Sequence, residues 1–217
     1  MKKNKFVFLV ALLLTSVTLF AQHNASLSAD EALKKLMEGN NRFVEFKQNH
    51  PHQNKARLEE VASTQKPFAI IVGCSDSRVP PEIIFDQGMG DLFIIRNAGN
   101  VIDDFAMASI EYAVEHLGVR LIVVLGHERC GAVDATIKGG KLPGHLNRLT
   151  DEIKPAIQSA KRVTGDLLTN VIYSNTKRIA LQINSSEELL KEFVEHKGLK
   201  VIPAYYDLDT GKAEVFE

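Results

Sequence analysis

The feature that most constrains the fold is a series of short apolar runs separated by longer segments with helical periodicity. Three of these runs span residues 68–72, 92–95 and 121–125. Apolar runs of this length, rich in Val, Ile and Leu, are typical of strands that are buried on both faces of a parallel sheet. Their alternation with helices predicts an α/β protein with a central, mainly parallel β-sheet flanked by helices.

The segments around these runs carry helix and turn signals. Ser28 and Glu31 form a capping-box pattern, and apolar residues at helical spacing follow, so we predict an amphipathic helix over 28–47. A loop with a short helix is expected over 48–66, and two strands joined by a turn over 201–216. The remaining predicted helices lie at 103–117, from 131 onward, through most of 145–183 and at 185–197.

The first 21 residues are typical of a secretory signal peptide. Three lysines precede an apolar run over 6–20, and Ala21 ends a plausible cleavage site. An uncleaved membrane anchor is the alternative, but a membrane span usually needs about 20 apolar residues and this run is shorter. We therefore expect residues 1–21 to be removed, and residues 22–217 to form a single periplasmic or secreted domain without a stable membrane anchor.

Composition narrows the remaining function classes. The formal net charge of −1 provides no global positive field, so nucleic-acid binding is not expected. Two cysteines in 217 residues are too few for a disulfide scaffold. Because free thiols tend to oxidise in an exported protein, both cysteines need a structural or chemical reason to be there.

Candidate metal ligands follow two of the predicted strands. Cys74 comes after the run 68–72, and His127 and Cys130 come after the run 121–125. Ligands in open α/β sheets bind outside the carboxyl ends of the strands, so these side chains could converge there. Two thiolates and an imidazole suit a catalytic zinc site with an open fourth position. A Cys74–Cys130 disulfide, or two buried free cysteines, are the alternatives.

An acid–base pair lies close to the first candidate ligand. Asp76 and Arg78 are two and four residues after Cys74. Arg78 could orient Asp76 through a bidentate pair, and Asp76 could then accept a proton from zinc-bound water. An ordinary surface salt bridge is the alternative. Arg96 and Asp103 could support this loop, or could equally form loop salt bridges of their own.

Three separated motifs together resemble those of the β-class carbonic anhydrases. They are CSDSRVP at 74–80, RNAGN at 96–100 and GHERCGA at 126–132, and the similarity extends from about Leu33 to the final strand pair. The resemblance implies reversible hydration of CO₂ to bicarbonate and a proton by zinc-bound hydroxide. It further implies one Zn²⁺ per chain on Cys74, His127 and Cys130, with Asp76 and Arg78 as the Asp–Arg dyad beside it.

The resemblance also implies a substrate pocket. Gln65 falls where many family members carry a glutamine that hydrogen-bonds bicarbonate, and Phe93 and Tyr112 match positions that line an apolar CO₂ pocket. Gln65 could also be only a loop residue, and Phe93 and Tyr112 only core residues. One subgroup has an allosteric bicarbonate site that uses a tryptophan, which this chain lacks. In that subgroup the dyad aspartate can occupy the fourth zinc position, so Asp76 could ligate zinc in an inactive state.

The same resemblance bears on assembly, and two further function hypotheses stay open. The family forms homodimers or homotetramers with active sites at the subunit interface, and the sequence does not choose between them. A hydrolase of a linear CO₂ analogue, CS₂ or COS, would keep the same ligands and dyad. The third hypothesis is a non-enzymatic exported protein with a Cys74–Cys130 disulfide.

Overall fold

The computed structural model describes residues 27–186 and 189–217, so the predicted signal peptide lies outside the described residues. The strands are β1 (Ala69–Gly73), β2 (Leu92–Arg96), β3 (Leu121–His127), β4 (Lys200–Tyr206) and β5 (Ala213–Val215). The α-helices are α1 (Ala29–Val44), α2 (Lys55–Val61), α3 (Pro81–Ile84), α4 (Asp104–Glu115), α5 (Gly131–Lys138), α6 (Leu146–Ala160), α7 (Leu167–Asn184) and α8 (Leu189–His196). Within these described ranges, no helix is long and apolar enough to cross a membrane.

The five strands form one sheet in the order β2-β1-β3-β4-β5. The first four strands are parallel, and β5 pairs with β4 in the antiparallel direction. The predicted mainly parallel α/β fold is therefore confirmed. Because β1 and β3 are parallel neighbours, their carboxyl ends lie at the same edge of the sheet, and Gly73 stands opposite Leu125 there.

Both faces of the sheet are covered by apolar helix surfaces. Successive strand residues point to opposite faces, so Ile71 belongs to a core with α1, α6 and α7, whereas Ile70 belongs to a second core with α4 and α8. The helix α7 contributes to both cores, through Ile172 on one side and Ile179 on the other. This double burial explains why the strands appear in the sequence as continuous apolar runs.

The ends of several elements follow from local chemistry. The predicted capping box is present at the start of α1, where Ser28 accepts from the Glu31 backbone and Glu31 bonds back to Ser28. Asp103 caps α4 by accepting from the Ala106 N–H, so it serves that helix. The predicted helical stretch 145–183 consists of two helices, and the short helix α3 begins at Pro81, a residue favoured in the first helical turn.

Candidate metal centre

The three candidate ligands converge at the carboxyl edge of the sheet. Cys74 directly follows β1, His127 is the last residue of β3, and Cys130 stands at the N-cap position of α5. Their ligand atoms all lie within 4.8 Å of one another, and all three side chains are buried. Both cysteines are free thiols, which differs from the predicted alternative of a Cys74–Cys130 disulfide.

The imidazole of His127 is set up as a ligand. Its Nδ1 lies 2.8 Å from the Glu128 carbonyl oxygen, which can only accept, so the proton is on Nδ1. Its Nε2 is buried and has no hydrogen-bond partner among the described residues. An unpaired buried acceptor is unfavourable unless something binds it, and a metal-ligating histidine commonly donates its other ring nitrogen to a carbonyl. Together with two thiols, this geometry fits the ligands that Zn²⁺ prefers.

The two thiols are close enough to perturb each other. A hydrogen bond from Cys130 lowers the pKa of Cys74, and the backbone N–H groups of Asp76 and Gly99 add to this effect against the opposing effect of burial. The same hydrogen bond, followed by burial, raises the pKa of Cys130 well above its usual range. Two buried thiolates side by side therefore need a positive charge between them, and a divalent metal would supply it.

Backbone N–H groups on two loops point at the Cys74 sulfur. The Asp76 N–H donates to Sγ at 3.4 Å, and the Gly99 N–H donates at 3.3 Å. Gly99 lies in a 3₁₀ turn over Ala98–Asn100 with a φ of +69°, and a Cβ there would be 2.7 Å from Ile153 Cδ1. Glycine adopts this conformation without strain, and it avoids the contact with Ile153. The structural role of the RNAGN motif is thus to bring an N–H to the first ligand.

Arg96 fixes the loop that carries Cys74 and the candidate dyad. Its Nε donates to the Cys74 carbonyl at 2.7 Å, and its Nη2 donates to the Asp76 carbonyl at 2.6 Å. Arg96 therefore supports this loop, as the sequence suggested. Asp103, the other residue suggested for this role, caps α4 instead.

Asp76 and Arg78 form the bidentate pair expected from their spacing. Arg78 Nε donates to Asp76 Oδ1 at 2.9 Å, and Nη2 donates to Oδ2 at 2.7 Å. These hydrogen bonds hold the pKa of Asp76 well below its usual range, although partial burial opposes them. Asp76 Oδ2 lies 3.9 Å from His127 Nε2. The carboxylate is therefore ionised and beside the ligand cluster, but both its oxygens are engaged with Arg78.

The loop between the second and third ligands is anchored to the β4–β5 turn. Glu128 accepts from the Leu208 N–H at 3.1 Å, and Arg129 pairs with Asp209 at 2.5 Å. Arg129 has a φ of +52°, a strained value for a residue with a side chain. Its carbonyl accepts from Arg78 Nη2 at 3.4 Å, which links this loop to the dyad.

Comparisons with known proteins bear directly on this centre. Residues 69–213 match the carbonic anhydrase family. The chain is 40% identical over 186 residues to carbonic anhydrase 2 of Mycobacterium tuberculosis, covering 84% of this chain and 90% of that protein. It superposes on a tetrameric β-carbonic anhydrase of Sordaria macrospora with a TM-score of 0.69 and 27% identity, covering 82% of this chain and 93% of that one.

The chain belongs to the β-class carbonic anhydrases. A second structure of this class, from Aspergillus fumigatus, agrees equally well, with a TM-score of 0.69, 28% identity and coverage of 87% of this chain and 90% of that one. The carbonic anhydrase of Mycolicibacterium smegmatis is 36% identical over 188 residues, covering 85% of this chain and 91% of that protein. The predicted family and enzyme class, a lyase of the carbonic anhydrase type, are thereby confirmed.

In this carbonic anhydrase, one chain does not bring Gln65 to its own candidate metal centre. Gln65 precedes β1, at the amino edge of the sheet, and lines a cleft of about 710 Å³ together with Asp91 and His116. Cys74 follows β1 at the carboxyl edge. The five residues of β1 alone separate the two edges by about 16 Å. The sequence could not indicate this separation, because the resemblance gives the position of Gln65 in the chain and not its position in space.

The two residues matched to the CO₂ pocket lie together, but not beside the ligands. The rings of Phe93 on β2 and Tyr112 on α4 are 6.5 Å apart. Phe93 packs on the second core, whereas the two cysteines belong to the first. Tyr112 keeps 47% of its surface exposed. Both residues therefore lie beside the edge strand β2, where a second molecule can approach.

Proposed function

We propose that this chain is a zinc enzyme that reversibly hydrates CO₂ to bicarbonate and a proton. The observation that carries the proposal is the buried Nε2 of His127, which has no hydrogen-bond partner in the part of the chain that the structure describes. It lies with two thiols within 4.8 Å and with an ionised carboxylate 3.9 Å away. Membership of the carbonic anhydrase family supports the reaction, and the donor chemistry supports the metal.

Cys74, His127 and Cys130 would hold the zinc ion. A zinc ion bound there lowers the pKa of water towards neutrality, so that a nucleophile is available at usable concentration. Two thiolates and one neutral imidazole give the site no net charge with Zn²⁺. The Glu128 carbonyl keeps the His127 ring in the tautomer that offers Nε2, so the ligand set is preorganised.

Asp76 and Arg78 would position the attacking water. Arg78 occupies one side of both carboxylate oxygens, which leaves the lone pairs of Asp76 Oδ2 that face His127 to accept a hydrogen bond from water. Fixing that hydrogen bond directs a lone pair of the water oxygen at the carbon of CO₂. Arg78 keeps Asp76 ionised at neutral pH, so Asp76 stays a hydrogen-bond acceptor throughout the reaction.

The substrate pocket would be completed by a second copy of the chain. A two-fold axis beside the edge strand β2 would run the two β2 strands in opposite directions, which brings the amino edge of one sheet next to the carboxyl edge of the other. Gln65 of the partner subunit could then donate to the oxygen of CO₂ on which negative charge develops. Phe93 and Tyr112 of the partner subunit would supply the apolar wall.

An oligomer is consistent with the relatives. The Sordaria macrospora proteins are described as tetrameric. Because isologous contacts repeat symmetrically, a dimer or a tetramer built from dimers would carry two equivalent sites at each two-fold interface. The Mycobacterium tuberculosis and Mycolicibacterium smegmatis relatives are both named carbonic anhydrases, so they lend no support to CS₂ or COS hydrolysis or to a non-enzymatic role.

The test is stopped-flow CO₂ hydration by the chain from residue 22 onward, with its zinc content measured, at mildly acidic and alkaline pH. We expect about one zinc per chain and rapid turnover, and loss of both in Cys130→Ser. Addition of zinc to the chelated wild type serves as the control and should restore turnover. Zinc-loaded protein without turnover at any pH would contradict the proposed reaction, and active protein without zinc would contradict the proposed metal.

A further inference from the structure

A two-bond hydrogen-bond chain links the middle of α7 to the first candidate ligand. Asn175 is fully buried, and its Nδ2 donates to the Gly99 carbonyl at 2.9 Å. The N–H of Gly99 in turn donates to Cys74 Sγ at 3.3 Å. Asn175 itself is remote from the cysteine in sequence, but only one residue stands between its side chain and the sulfur.

The turn that contains Gly99 needs such an anchor. It is only three residues long, and Gly99 has a left-handed backbone conformation. The turn is therefore not continued by helix on either side. A carbonyl buried in this position requires a donor, and the amide of Asn175 supplies it. The direction of the Gly99 N–H therefore depends on where α7 holds its carbonyl.

Asn175 is an unfavourable residue for a position that needs only packing. Asparagine has a low helix propensity, and its Oδ1 here is buried without a hydrogen-bond partner among the described residues. An apolar residue between Ile172 and Ile179 would avoid the unpaired Oδ1, but it would leave the Gly99 carbonyl without this donor. Core packing alone therefore does not explain a buried amide with only its Nδ2 hydrogen-bonded. The hydrogen bond to the Gly99 carbonyl does explain it.

The next residue of α7, Thr176, packs against the segment that carries His127. Thr176 Oγ1 would lie 2.1 Å from a Cβ built on Gly126, the residue before His127, so the helix packs directly on that backbone. Asn175 and Thr176 thus present two consecutive side chains, one to the Gly99 turn that donates to Cys74 and one to the segment that carries His127. The helix α7 is the support on which both segments rest.

We propose that Asn175 is a positioning residue for the metal centre, which fixes the Gly99 turn so that its N–H donates to the Cys74 sulfur. This inference rests on the proposed zinc site. An N–H···S bond withdraws electron density from a thiolate, so it reduces the charge that the sulfur donates to the metal. Groups that orient ligands in this way commonly change metal affinity or activity by about 10–100-fold when removed.

Asn175→Ala and Asn40→Ala form a matched pair for the test. Asn40 is equally buried, and its amide also donates to backbone carbonyls, those of Ile84 and Gly211, neither of which belongs to the Cys74 segment or the Gly99 turn. Both variants should lose stability. Asn175→Ser is a second variant that keeps a polar side chain. Its shorter side chain cannot reach the Gly99 carbonyl, so the hydrogen bond is also lost.

The decisive readout is the thiolate-to-cobalt charge-transfer band of the Co²⁺-substituted full-length protein. Loss of the N–H···S bond should move this band to lower energy in both Asn175 variants and leave it unchanged in Asn40→Ala. Zinc affinity, measured by competition with a chelator, should change about 10-fold in the Asn175 variants. An unchanged band and affinity, with stability lowered as in Asn40→Ala, would overturn the role of Asn175. Failure of the wild type to bind cobalt or zinc would instead refute the proposed metal site.

Discussion

Gln65 and Cys74 lie at opposite edges of the sheet, at the two ends of strand β1. The residue expected to bind bicarbonate and the first expected zinc ligand are therefore separated within one chain by the length of that strand, about 16 Å. If both act in one site, they come from different subunits. The arrangement of the assembly is then part of the catalytic site and not only of its stability.

Subunit mixing tests this arrangement. Gln65→Ala copies and Asp76→Asn copies should each be nearly inactive alone. When they are co-expressed with two different affinity tags, each mixed dimer has one site with both residues intact and one with neither. With random pairing, the whole co-expressed pool should recover about a quarter of the wild-type activity, because half of its dimers are mixed and each of these has one intact site of two.

The control for mixing is a pair of copies that both carry Asp76→Asn under the two tags, which should recover nothing. Activity in the purified mixed dimers equal to the mean of the two parents would contradict action across the interface. It would mean that Gln65 acts within its own subunit or does not act in the site.

Substitutions in the Asp76–Arg78 dyad should lower catalysis without loss of the metal. Asp76→Asn should lower kcat/KM by about 10²-fold, because the acceptor that positions the attacking water is lost. Arg78→Lys should have a smaller effect in the same direction, because lysine cannot make the bidentate pair. Zinc content should remain normal in both, since Asp76 is outside the cluster of three ligand atoms.

Asp151→Asn is the matched control for the dyad. Asp151 also forms a close ion pair, 2.6 Å from Lys154, but both side chains are mostly exposed and lie on α6. Its activity should equal that of the wild type. If Asp76→Asn retained normal turnover with zinc bound, the proposed role of the carboxylate would be wrong.

The pH dependence of stability should follow Asp86, which is 2% exposed. Burial raises the pKa of Asp86, but hydrogen bonds from the Asn49 N–H, Arg42 and the His50 N–H outweigh it, and the net pKa is lowered. A depressed carboxylate pKa contributes stability that is present above the pKa of the unfolded chain, about 4, and is lost as the pH falls below it. The stabilisation by Asp86 should therefore be full at neutral pH.

Asp86→Asn isolates this contribution. Asparagine tolerates the positive φ of +46° at this position, so the substitution removes the charge without straining the backbone. Urea unfolding should give a variant less stable by about 2 kcal/mol at neutral pH. The difference should shrink below about pH 4. Asp30→Asn, which removes an exposed pair with Lys200, is the control and should change stability little at either pH. A difference independent of pH would contradict the assignment.

Maturation at the N-terminus is a separate prediction. We propose that the chain is exported and that residues 1–21 are removed, so that the mature protein begins at Gln22. Intact mass and N-terminal sequencing of protein recovered from a bacterial periplasmic fraction should show that end. A charged residue placed within the apolar run at 6–20, such as Leu13→Arg, should block export and leave the full-length precursor in the cell. Full-length chain in a membrane fraction would favour an uncleaved anchor instead.

Much of the site was predictable from sequence because its parts are local. Cys74, Asp76 and Arg78 are contiguous, and a bidentate pair over two residues needs only one loop conformation. His127 and Cys130 are equally close in sequence. The only long-range assumption was that two adjacent strand ends meet, which follows from the parallel direction of neighbouring strands.

Other parts of the site had no local signal. Asn175 is 76 residues from the Gly99 carbonyl to which it donates. It appears in the sequence as one polar residue in an amphipathic helix, because the pattern records that a position is buried and not which carbonyl it faces. The strand β3 was likewise predicted to end at 125, but it runs to His127, since pairing with β4 continues through Tyr206.

By itself the sequence determined the α/β class, the order of its strands and helices, and the residues that could hold a metal. Apolar periodicity and the chemistry of side chains a few residues apart carry that information, and neither depends on distant partners. Only the tertiary structure decided that α7 supports the Gly99 turn through Asn175, and that Gln65 stands at the far edge from the ligands. Those relationships depend on how helices pack on the sheet and on strand direction, which bring together residues that the chain keeps far apart.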